Sequence, residues 1–79
     1  MKMNANEILA SMRSGNKMKP VTWTEKTIFK DGYCYVRNMH TFIEHTPNTI
    51  GFEKSPAIIG VQEAINHYGN DWVVVNANP

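Results

Sequence analysis

Cys34 is the only cysteine in a chain of 79 residues. A chain this short has little interior, and with one thiol it cannot close a disulfide to make up the deficit. Area scaling puts the buried share of its surface at roughly 63%, from about 13,000 Å² unfolded to about 4,900 Å² folded. The expectation is one small domain over residues 1–79, held by a single apolar core and helped by self-association. A lone thiol, and a start in which no apolar run follows the lysine of Met1–Met3, point to a reducing cytoplasm. No stretch approaches the ~20 apolar residues that span a bilayer. Eight Lys and Arg against seven Asp and Glu give a net charge of +1. That balance excludes both a strongly basic nucleic-acid binder and a carboxylate-dense mimic of DNA.

Periodicity divides the chain into α and β stretches. Ile8, Leu9 and Met12 form an apolar stripe at helical spacing within Asn4–Ser14, with Asn4 and Glu7 spaced as a capping pair and Gly15 placed to end the helix. Val21–Trp23 reads as a short strand, and Pro20 before it favours a strand start or a sheet edge. Lys26–Lys30 and Tyr33–Arg37 flank Asp31-Gly32, a strong two-residue hairpin signal. In that register Thr27, Phe29, Cys34 and Val36 share one face, and Ile28, Lys30, Tyr33, Tyr35 and Arg37 the other. Weaker strands are expected over Met39–Ile43 and Thr49–Phe52, around a loop at Thr46-Pro47-Asn48, with a break at Ser55-Pro56. A second helix over Val61–Tyr68 ends at Gly69, and the β-branched run in Asp71–Asn76 reads as a strand buried on both faces. The order predicts an α+β fold: N-terminal helix, antiparallel sheet, short second helix, C-terminal strand.

Catalytic and metal signatures are weak. Cys34, His40, His45 and His67 lack zinc-site spacing, and Cys34 in mid-strand reads as a small buried hydrophobe. Glu25, Glu44, Glu53, Glu63 and Asp71 show no spacing that selects an acid/base pair, and the five glycines are scattered singly rather than gathered in a phosphate loop. The expectation is a binding protein with no cofactor, not an enzyme. Trp23, Tyr33, Tyr35 and Trp72 offer rings for stacking on a flat base. Arg37 and Lys19 offer charge for phosphates, and Asn70, Asn76 and Asn78 offer amides for ribose hydroxyls. Trp72, opening a run of three valines, belongs in the core. Trp23, after a proline and before Thr24-Glu25, is expected to keep one ring face open.

Asn6-Glu7-Ile8-Leu9-Ala10-Ser11-Met12-Arg13-Ser14-Gly15 resembles the opening of the Thoeris anti-defence two family of phage proteins, a short helix of pattern x-E-A-L-x-x-[LIM]-[KR]-x-G. The step from Gly15 to Trp23 and the ending Asp71-Trp72-Val73-Val74-Val75 resemble that family too, so the matching pieces cover about a third of the chain. Pro20 stands where the family usually has arginine, and Thr22 where it has glycine. The resemblance implies a sponge in the host bacterial cytoplasm that sequesters, without cleaving, an isomer of cyclic ADP-ribose made by a host TIR-domain enzyme. It also implies a homotetramer, a dimer of dimers, with the signal held between subunits. The expected ligand-binding residues are Trp23, Tyr33, Tyr35, Arg37, Lys19 and Asn76, with no nucleic-acid or membrane partner. Two other readings stay open: a sponge for cyclic di- or trinucleotides, and an inhibitor that docks directly on a host protein.

Overall fold

A computed structural model describes residues 2–47 and 51–75 of the chain. Helix α1 spans Ala5–Arg13 and opens with the capping pair: Glu7 N donates to Asn4 Oδ1, and Asn4 N donates to Glu7 Oε1, both at 2.9 Å. Two of the free amides of the first turn are thereby satisfied. Five strands follow in one antiparallel sheet: β1 (Met18–Pro20), β2 (Tyr33–Arg37), β3 (Thr41–His45), β4 (Phe52–Lys54) and, after helix α2 (Ala57–Tyr68), β5 (Trp72–Val74). Their spatial order is β4-β3-β2-β1-β5. The fold is α+β, with elements in the expected order of helix, sheet, helix and strand. Among the described residues no helix is long and apolar enough to cross a membrane.

Both helices pack on one face of the sheet. Ile8, Leu9 and Met12 of α1 and Ala57, Val61 and Ala64 of α2 join Met18, Cys34, Phe42 and Trp72 in one buried cluster. Helix α2 begins four residues before the expected Val61, because Gly60 lets it settle on β3: a Cβ at Gly60 would stand 2.8 Å from Phe42 Cδ2. Its end is the expected one, with Gly69 at φ 92° donating its amide to Ile65 O. Tyr68 closes the last turn onto the sheet, its hydroxyl donating to Glu44 Oε1 at 2.9 Å. Burial first, and then this hydrogen bond and the Glu44 charge, push the phenol up to about 12. Cys34 is fully buried, and burial together with Glu44 pushes its thiol far above the ordinary range, so it acts as a core residue.

Two expected strands, Val21–Trp23 and Lys26–Lys30, are corrected. Residues 21–32 carry no strand, so Lys26–Lys30 and Tyr33–Arg37 do not form a hairpin at Asp31-Gly32. Local hydrogen bonds hold this stretch as turns instead: Thr27 Oγ1 donates to Thr24 O, Lys26 N to Thr24 Oγ1, and Phe29 N to Thr27 Oγ1. Threonine hydroxyls of this kind compete with a sheet ladder for the backbone. Val21–Trp23 likewise gives way to Met18–Pro20, an interior strand. Val21 N donates to Asp71 O on the β5 side. The Pro20 nitrogen therefore faces the β2 side, where pairing reaches only Met18↔Cys34, and its missing N–H leaves no ladder bond unmade.

The hairpin of this fold is β2–β3, in register Tyr33↔His45 through Arg37↔Thr41. Its turn uses Asn38 (φ 55°) and Met39 (φ 64°) without a glycine. Outside contacts hold that strained turn: Arg13 Nε donates to Met39 O at 3.0 Å and Ala57 N to His40 O at 2.9 Å. The expected strands Met39–Ile43 and Thr49–Phe52 are seen as Thr41–His45 and Phe52–Lys54, while Asn48, Thr49 and Ile50 lie outside the described residues. Strand β5 is a sheet edge, so only Trp72 is buried and Val73 and Val74 are exposed, against the expectation of burial on both faces.

Two outcomes test this packing. Gly60→Ala forces α2 away from Phe42 and should cost about 1–3 kcal/mol, read as a lower urea midpoint with an unchanged slope. Because the folded Tyr68 phenol titrates near 12 instead of its ordinary 10, its contribution is whole below pH 10 and fades as pH rises from 10 to 12. Tyr68→Phe should remove that part of the alkaline loss of stability, measured by thermal melts across the window.

Candidate functional site

Alternation along β2 sends Cys34 and Val36 toward the helices and Tyr33, Tyr35 and Arg37 to the opposite face. The register extends this face across its neighbours. His45, Ile43 and Thr41 of β3 stand beside Tyr33, Tyr35 and Arg37, and Glu53 of β4 stands beyond Ile43. Lys19 of β1 is out of phase with buried Met18 and so shares the face, opposite Val73 of β5. Neither helix covers it.

The rings on this face form a group. Tyr33 and His45 lie 4.9 Å apart between centroids with planes 34° apart, and Tyr33 and Tyr35 lie 5.8 Å apart at 36°. The Lys17 ammonium stands 4.9 Å from the centre of the Tyr33 ring, a cation–π contact. Arg37 bonds to Glu53, and the two side chains stay 54% and 49% exposed. Lys19 Nζ donates to Lys30 O at 3.3 Å. The face thus presents three neighbouring rings with ammonium groups at one side and a guanidinium at the other. Half-buried rings of this kind stack on planar ligands, and the cations suit anionic oxygens.

Four of the six residues expected from the sequence, Lys19, Tyr33, Tyr35 and Arg37, lie on this one face. The hairpin assumed for them is absent, yet the period-two alternation that grouped the last three depends only on β2 itself. Asn76 lies outside the described residues, as does Asn78. Trp23 is a correction. It is 1% exposed, sits in the helix-side core at 5.4 Å from Phe29 and 5.2 Å from Tyr68 between centroids, and keeps no open ring face. The polar Thr24-Glu25 that suggested exposure turns outward while the indole turns in. Its Nε1 is buried and has no hydrogen-bond partner among the described residues. Trp72 is equally buried, as expected, and its Nε1 donates to Gly69 O at 2.9 Å.

Sequence reading missed Lys17, His45 and Glu53. His45 was within reach of the same alternation once β3 was known to pair with β2, but the signal for that pairing is absent because its turn lacks glycine. Among the described residues no three His, Cys, Asp or Glu side chains converge as they would around a metal ion.

Stability separates the two kinds of residue. Trp23→Ala should cost about 3–5 kcal/mol, as for other large-to-small changes in a core. Arg37→Ala, which breaks only an exposed pair, should cost less than about 1 kcal/mol. Chemical denaturation of both variants checks the assignment of one to the core and the other to the open face.

The chain matches no family model, no curated protein and no solved structure.

Proposed function

We propose that this protein is a binding module that captures a cyclic ADP-ribose-type signalling nucleotide and holds it without cleaving it. The observation that carries the reading is the clustering of Tyr33, Tyr35 and His45 with Lys17, Lys19 and Arg37 on one face of the sheet. A purine stacks on a tyrosine or imidazole ring, and its diphosphate takes charge-assisted hydrogen bonds from ammonium and guanidinium groups. The resemblance of both chain ends to the Thoeris anti-defence two family supports the same ligand class and the role of a sponge against a bacterial defence signal. Sequestration also calls for a second protomer: one flat face covers one side of a base, and two faces enclose it. Such a homo-oligomer, a tetramer in the family's manner, keeps the signal from its receptor in the host cytoplasm.

Arg37 takes the place of the arginine that the family carries where this chain has Pro20. It must exchange Glu53 for phosphate, and an exposed pair of this kind is worth only about 0–1 kcal/mol, so the exchange is cheap.

Calorimetry with cyclic ADP-ribose isomers is the test, with recovery of the ligand intact afterwards. Arg37→Ala should weaken binding by about 1.5–3 kcal/mol, roughly ten- to a hundredfold, while Glu53→Gln, which frees the guanidinium, should tighten it. Absence of binding, a processed product, or indifference to both Tyr33→Ala and Arg37→Ala would overturn the reading. Binding of cyclic di- or trinucleotides in its place would move the ligand class and keep the face.

A further inference from the structure

On the helix side of the sheet, between α2 and strands β3 and β4, lies a pocket of about 260 Å³. Small residues create it. Gly60 and Ala64 line it on the α2 side, where the helix rests on Phe42 at Gly60 and reaches over to Glu44 of β3 through the long Tyr68 side chain. Its walls are Glu44, Glu63, Phe52 and Tyr68, with the His67 ring completing the rim. Among the described residues no lysine or arginine lines it, so two carboxylates face a half-open cavity next to an aromatic ring that is 44% exposed.

The chain itself shows what this chemistry attracts. The Lys54 ammonium donates to Glu63 Oε2 and stands 5.7 Å from the centre of the Phe52 ring, so a primary ammonium is already held by one wall carboxylate and the wall aromatic. Glu44 on the other wall accepts from the Tyr68 hydroxyl and pairs with no lysine or arginine among the described residues. A carboxylate offers about four acceptor positions, which leaves Glu44 able to take further donors.

We propose that this pocket binds a small organic cation, an alkylammonium or alkylguanidinium compound. Its charged head lies on Glu44 and competes with Lys54 for Glu63, and its apolar stem lies along Phe52 and Ala64. A volume just below the usual ~300–1,000 Å³ of ligand pockets restricts the occupant to a compact molecule. The two carboxylates repel phosphate, so this site is distinct from the open sheet face and stands or falls separately from the nucleotide reading.

Titration of the full chain with agmatine and with n-butylammonium, followed by calorimetry and by amide chemical shifts, tests the proposal. Both cations should bind, with shifts centred on Glu44, Phe52 and Ala64, while n-butyrate should not. Glu44→Gln keeps an oxygen to accept from Tyr68 and so keeps the fold, yet it should weaken binding tenfold or more. Lys54→Met removes the internal competitor and should tighten binding severalfold. The exposed Glu25→Gln, outside the pocket, should change nothing. Affinities that are the same in Glu44→Gln and Lys54→Met as in the unaltered protein would overturn the proposal. So would no binding of either cation, or a loss in Glu25→Gln equal to that in Glu44→Gln, which would mark a general attraction to net charge.

Discussion

The indole of Trp23 is the contact on which most of this structure depends. It lies against Phe29 from its own irregular loop, against Tyr68 at the end of α2, and over Gly32, where a Cβ would stand 2.9 Å from its Cζ3. Gly32 immediately precedes β2, and Tyr68 reaches on to Glu44 of β3. One ring therefore fastens the longest stretch without secondary structure to both the sheet and the second helix. Its buried Nε1–H has no acceptor among the described residues, a cost of about 1–3 kcal/mol. Burying an aromatic of 150–250 Å² at roughly 25 cal/mol per Å² contributes about 4–6 kcal/mol, so the packing wins. Gly32 serves this close approach and not the tight turn that Asp31-Gly32 suggests.

With one face of the sheet occupied by helices and core, the chemistry of the other face follows from strand parity. Every second residue of β2 is committed to the interior, and those between, Tyr33, Tyr35 and Arg37, are left outward. The same rule distributes charge. Lys19 and Arg37 fall on the open face with Glu53, whereas Glu44 falls with Lys54 on the helix side, beside the pocket that Gly60 and Ala64 line. The two faces of the sheet thus offer different chemistry. Cations beside rings suit an anionic, planar ligand on one side, and carboxylates beside a ring suit a cation on the other.

Much of this was legible in the residues wherever the deciding interaction is local. The Asn4–Glu7 capping pair, the ending of α2 at Gly69, the alternation within Tyr33–Arg37 and the burial of Trp72 each depend on neighbours a few residues away, and each stands where the sequence indicates. Three of the six candidate binding residues, Tyr33, Tyr35 and Arg37, were grouped on one face for the same reason.

What only the tertiary structure decided concerns partners distant in the chain. Residues 21–32 carry a strand-like composition, but Thr24 and Thr27 tie their own backbone and Trp23 finds Tyr68, so the segment becomes a loop. The hairpin moves to Asn38-Met39, a turn without glycine, since Arg13 and Ala57 supply the hydrogen bonds that hold it. Val73 and Val74 are exposed because β5 comes last in the sheet order, which no local pattern encodes. Capping, alternation and glycine stops act over one turn or one strand and are written in adjacent residues. The choice between competing partners is settled only when the whole core closes around Trp23.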